Sequence, residues 1–129
     1  MTRTAIDTPD APRPKGPYRQ AIVSGDTIYV AGQGPVDPRT DEIFTGDIEQ
    51  QTRLTLENIR AILAAAGAGM QDVVKVTVYL TDLGDFSRMN EVYRSFFNEP
   101  YPARAAVGCQ LLFGIGIEID CIAVRPGVK

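Results

Sequence analysis

The chain has 129 residues, 44% hydrophobic and 22% charged, with a formal net charge of -3 and a pI near 4.9. That length suits one domain with a sizeable core, and the acidic balance argues against nucleic acid as the main partner, because such binding runs on phosphate neutralisation. The sequence has no histidine, which removes Ser-His-Asp and Cys-His catalysis in their usual forms, and its two cysteines, Cys109 and Cys121, are too few for a structural zinc site.

Residues 1–16 hold Pro9, Pro12 and Pro14 among polar side chains and read as an irregular N-terminal arm. They carry no apolar signal core, and no stretch reaches membrane-spanning length, so the expectation is a cytoplasmic protein with no membrane partner. Residues 18–24 and 27–33 read as two strands joined by a tight turn at Gly25-Asp26. Gly32 and Gly34 bracket Gln33, which marks a sharp turn or a close backbone approach. Asp37-Pro38-Arg39-Thr40-Asp41 is a turn.

Over residues 48–66, Ile48, Thr52, Leu56, Ile59, Leu63 and Ala66 step by three or four and predict a helix with one buried stripe. Asp47 with Gln50 resembles a capping box at its start, and Gly67 stops it. The next strand alternates Val74, Val76, Val78 and Leu80 with Lys75, Thr77, Tyr79 and Thr81. A second helix is predicted over residues 85–97, with Asp85 as N-cap and Phe86, Met89, Val92 or Tyr93, and Phe96 on its apolar face. Two strands end the chain, one led by Pro102-Ala103-Arg104 and one over residues 116–124. In the last, Ile117, Ile119, Cys121 and Ala123 should meet the helices, while Glu118, Asp120 and Ile122 face water or a neighbouring subunit.

The order is therefore β-β-α-β-α-β-β, a single α+β domain over residues 1–129 with two helices on one face of a mixed sheet. If the last two strands form a hairpin, Arg104 and Glu118 stand roughly opposite each other. A guanidinium fork and a carboxylate on a rigid sheet can grip a small acid and activate water beside it. On these residues alone, a weak surface ion pair is the plainer alternative. Asp120 shares the face of Glu118, where it either raises a neighbouring pKa or pairs with Arg94 or Arg125.

Gly16-Pro17-Tyr18-Arg19-Gln20-Ala21, Ala31-Gly32-Gln33 and Leu63-Ala64-Ala65-Ala66-Gly67 occur in order along the chain. They are followed by the run from Asp72 to Leu80, Met89-Asn90-Glu91-Val92-Tyr93, Pro102-Ala103-Arg104 and Ile117-Glu118-Ile119-Asp120. In this order and spacing, over residues 11–124, the chain resembles the RidA/YjgF-type reactive intermediate deaminases. The resemblance implies a chorismate-mutase-like fold, a homotrimer with ligand sites between subunits, and cofactor-free hydrolysis of 2-imino or enamine acids to 2-keto acids and ammonia. It implies Arg104 as the clamp on the substrate carboxylate, a role that suits a planar guanidinium better than an ammonium, and Glu118 as partner of the attacking water. Tyr18 and Asn90 would shape the cleft and Gly32 would offer backbone contacts. No metal is implied, and the partner is a small imino or keto acid.

Two departures stand out. Many members carry cysteine where this chain has Ala106, a position expected to act through backbone atoms. The link Leu111-Leu112-Phe113-Gly114 replaces a more polar, proline-containing turn and is about one residue shorter, by comparison with the family pattern; its apolar character favours a larger substrate than iminopropanoate. The resemblance also leaves open a 2-aminomuconate-type deaminase and a keto-acid-binding regulatory trimer without turnover; against the ribonuclease label some relatives carry weigh the acidic charge and the absence of histidine.

Overall fold

A computed structural model describes residues 2–126; the ends of the expected domain, residues 1 and 127–129, lie outside the described residues. Strands β1 (Arg3–Ile6), β2 (Ala21–Ser24), β3 (Thr27–Gln33), β4 (Val73–Leu80), β5 (Ala103–Gly108) and β6 (Ile117–Val124) form one mixed sheet, with helices α1 (Ile48–Ala65) and α2 (Phe86–Arg94). The strand order is β1-β2-β3-β6-β4-β5. Only β4 and β5 run parallel, as they must when a helix carries the chain between them. No helix among the described residues is long and apolar enough to cross a membrane.

The helix stripe read from the sequence is the buried face of α1. Leu56, Ile59, Ile62 and Leu63 are each at most 1% exposed, and full burial of such a side chain contributes about 1.5–3 kcal/mol. Asp47 Oδ1 accepts from the Gln50 amide at 2.8 Å, the forward half of the expected capping box. Gly67 follows the helix at φ +80°, a left-handed position that suits glycine. Facing α1 are Ile117, Ile119, Cys121 and Ala123 of β6, all at most 3% exposed. The opposite row, Glu118, Asp120 and Ile122, is half-buried on the face that no helix covers.

Four expectations are corrected. The N-terminal arm is not irregular throughout: Arg3–Ile6 pairs antiparallel with β2. Residues 8–12 are then pinned by Gln20, whose buried amide accepts from the Thr8 N–H and donates to the carbonyls of Thr8, Ala11 and Pro12. The last two strands form no hairpin. β6 lies between β3 and β4, and β5 is the sheet edge. The burial demand explains this: β6 carries a full apolar row and needs neighbours on both sides, whereas Ala103–Gly108 has little side chain to bury and suits an edge. In β4, Val74 is exposed because the register with β6 shifts between Val73 and Lys75, so Val73 takes its place in the buried row. Finally, α2 ends at Arg94, and Asp85 makes no side-chain cap bond; its carboxylate pairs with Arg88 instead.

Candidate functional site

Arg104 and Glu118 project from opposite faces of the sheet. Arg104 is in register with Val76, and Val76 with Cys121, both buried on the helix side. Glu118 is in register with Tyr79, three residues away from that row and on the open side. Two separate concavities result, one around each side chain.

The helix-side concavity is about 370 Å³ and is lined by Asn90, Tyr93, Arg94, Tyr101, Pro102 and Arg104. Arg104 Nη1 donates to Asn90 Oδ1 at 2.7 Å. Its guanidinium carbon stands 4.7 Å from the centre of the Tyr93 ring and 5.5 Å from that of Phe86. Both rings lie on α2, where they can hold a flat cation by its π-faces. The strand thus supplies the arginine and the helix supplies its orientation, leaving the rest of the fork open for an anion. Burial pushes the Tyr93 phenol up to about 12, so it stays neutral beside the cation. Ala106, two residues along β5, is exposed and in register with Val78.

The open-face concavity, also about 370 Å³, includes Tyr18, Gln20, Gly32, Leu112, Phe113 and Glu118 in its lining. Pro12, Arg13, Pro14 and Lys15 form one wall, held there by the Gln20 bonds to the preceding residues. Glu118 lies over the backbone of Gly32, where a methyl group would stand 2.8 Å from its Cδ. The glycine is therefore needed for close approach of the carboxylate. Burial, and secondarily the charge of Asp120, raise the Glu118 pKa above its ordinary 4.5. Asp120 itself accepts from the Tyr79 hydroxyl at 3.0 Å and pairs with neither Arg94 nor Arg125, which face Glu91 and Asp26.

Neither Arg104 nor Glu118 has a counter-ion among the described residues. Of the residues singled out in the sequence, Arg104 and Asn90 come together, and so do Tyr18, Gly32 and Glu118. The two groups are not joined within one chain. Gln20, Tyr93 and Phe113 were not read as site residues. Gln20 sits inside a quoted motif; the aromatic pair on α2 reads only as an apolar stripe until the helix is placed over Arg104. Among the described residues no group of side chains has the composition of a metal site. Cys109 and Cys121 are free thiols, and burial pushes that of Cys121 up to about 12, out of reach of nucleophilic use.

A family model described as Endoribonuclease L-PSP matches residues 8–125, and the chain belongs to this family, that of the RidA/YjgF-type proteins. A RutC family protein of Pyrococcus horikoshii is 53% identical over 124 residues, covering 95% of this chain and 98% of the relative. RidA from an Antarctic Psychrobacter superposes with a TM-score of 0.91 at 45% identity, over 94% of this chain and 98% of that one. TdcF of Escherichia coli, whose name assigns it provisionally to the reactive intermediate deaminases, is 45% identical over 93% of this chain and 95% of its own. Its crystal structure, with bound serine, gives a TM-score of 0.90 over 95% and 99% of the two chains.

Gly32→Ala is expected to leave the melting temperature nearly unchanged, because the atoms a methyl would meet belong to the mobile end of the Glu118 side chain. Moving that carboxylate is expected to remove activity on the scale of losing the glutamate itself. Thermal unfolding and steady-state rates check both halves. A fully active Gly32→Ala protein would mean that the seat of Glu118 against Gly32 is irrelevant to chemistry.

Proposed function

We propose that the protein is a cofactor-independent deaminase that hydrolyses 2-imino or enamine acids to 2-keto acids and ammonia, at sites shared between neighbouring subunits of a homotrimer. The observation that carries this reading is a pair of half-buried, unpaired opposite charges, Arg104 and Glu118, each in its own concavity on opposite faces of one sheet. Two copies packed edge to face bring one subunit's Arg104 toward another's Glu118, which no movement within one sheet achieves. The naming of TdcF, and the serine bound to it, support a small carboxylate as ligand.

In this mechanism Arg104, steadied by Asn90, holds the substrate carboxylate. Glu118 takes a proton from water as the oxygen adds to the carbon of the protonated imine, whose nitrogen becomes a neutral amine. Glu118 returns that proton to the amine nitrogen, the C–N bond breaks, and ammonia leaves. The hydroxyl gives its proton to Glu118 as it becomes the keto oxygen, and the departing ammonia carries that proton away as ammonium. A carboxylate with a raised pKa suits both directions of transfer near neutral pH. Tyr18 and the N-terminal wall border the open-face concavity beside Glu118.

The direct test is release of ammonia from imines made in situ from amino acids by an amino acid oxidase. Turnover above the rate in water supports the reading; keto-acid binding without turnover would make the protein a binder. Light scattering at micromolar concentration is expected to give the trimer mass, with a melting temperature that rises with protein concentration. A clean monomer with full activity would overturn the shared site.

A further inference from the structure

The Leu112–Gly114 turn projects two large apolar side chains at the mouth of the open-face concavity. Leu112 is 74% exposed and Phe113 60% exposed, although both line it. Phe113 also has φ 64° and ψ 16°, a left-handed conformation that a bulky side chain rarely adopts. Gly114 follows at φ +71°. An apolar side chain displayed in a strained backbone, beside a cavity rather than in a core, is what a ligand contact looks like. Val36, Ile43 and Ile115 add apolar surface to the lining of the same concavity.

We propose that Phe113, with Leu112, is the specificity-determining wall of the site and selects 2-imino acids with a bulky apolar or aromatic side chain over the alanine-derived imine. This rests on the deaminase reading above, because it takes the carboxylate end of the substrate to be held by Arg104 and the imine carbon to lie at Glu118. The side chain then extends along the apolar wall toward Phe113. A cavity of about 370 Å³ lies within the range of roughly 300–1,000 Å³ that small-molecule sites occupy, and exceeds what a single methyl substituent needs. Each added methylene packed on such a wall is worth about 10–200-fold in discrimination.

The test compares kcat/KM for imines generated in situ from alanine, leucine and phenylalanine, in the wild type and in Phe113→Asn and Leu112→Ser. Asparagine accepts the left-handed backbone, so Phe113→Asn changes the wall without adding strain. The wild type is expected to favour the leucine- or phenylalanine-derived imine over the alanine-derived one by at least about tenfold. The ratio of the two is expected to fall about tenfold or more in Phe113→Asn, and by less in Leu112→Ser. Hydrolysis of all three imines with a preference for the smallest, or a ratio that Phe113→Asn leaves in place, would overturn the specificity assignment while leaving the deaminase reading intact. Failure to hydrolyse any imine would overturn the deaminase reading itself.

Discussion

Replacing Arg104 with lysine is expected to lower kcat/KM at least about tenfold, equivalent to about 1.4 kcal/mol of transition-state binding. The charge survives this change and the planar fork does not. The change disturbs the bond to Asn90 Oδ1 and the approach to the faces of Tyr93 and Phe86. A lysine ammonium can sit near a ring but has no planar fork to hold Asn90 with one edge and a carboxylate with the other. Because Arg104 lies on an edge strand and has no ion pair to break among the described residues, the proposed trimer is expected to be unaffected by the change, and light scattering alongside the rates checks that. A lysine variant with unchanged turnover and substrate affinity would mean that Arg104 is not the clamp.

Glu118→Gln is expected to lower turnover by about 100-fold, the low end of what a positioned base supplies, since imines also hydrolyse in water unaided. Binding of a non-reactive keto acid is expected to be nearly unchanged, because Arg104 does the holding. The pH dependence follows from the raised pKa of the carboxyl. As a base Glu118 works only when ionised, so the rate of the wild type is expected to fall with decreasing pH on a limb centred above 4.5, and the glutamine variant is expected to lack that limb. Stability moves the other way. A carboxyl whose pKa is raised on folding favours the folded state when protonated and opposes it when ionised. Glu118→Gln is therefore expected to raise the melting temperature at neutral pH, with the gain disappearing below the ordinary value of 4.5. A glutamine variant that is both silent in rate and unaltered in stability would remove Glu118 from the mechanism.

The parts of the fold set by local chemistry were legible in the residues. The α1 stripe, its Asp47 and Gly67 boundaries, the Gly25 turn and the inward row of β6 all follow from periodicity and backbone preference. What the residues did not show was strand neighbourhood. Arg104 and Glu118 were expected to face each other across a hairpin, yet β4 lies between β5 and β6, and pairing partners are chosen by which apolar rows must be covered on both sides. The N-terminal segment departs from its sequence pattern for a related reason. Its prolines suggest irregularity, but the order comes from Gln20, whose burial is decided by the sheet beneath it. Arg104 and Glu118 were visible as residue types, and their separation became visible only with the sheet order. The seat that Gly32 makes for Glu118 was foreshadowed by the paired glycines around Gln33, though not its occupant.

The most direct test of whether neighbouring subunits share the proposed site is subunit complementation. Arg104→Ala and Glu118→Gln proteins, each nearly inactive alone, are mixed, unfolded and refolded together. If each site takes its arginine from one subunit and its glutamate from the next, random assembly leaves roughly a quarter of the sites with both native residues, as expected for a repeated head-to-tail interface. Activity of the mixture is then expected to recover toward that fraction of the wild type. A refolded mixture of confirmed mixed trimers that is no more active than the average of its two parents would contradict a site built from Arg104 of one subunit and Glu118 of its neighbour.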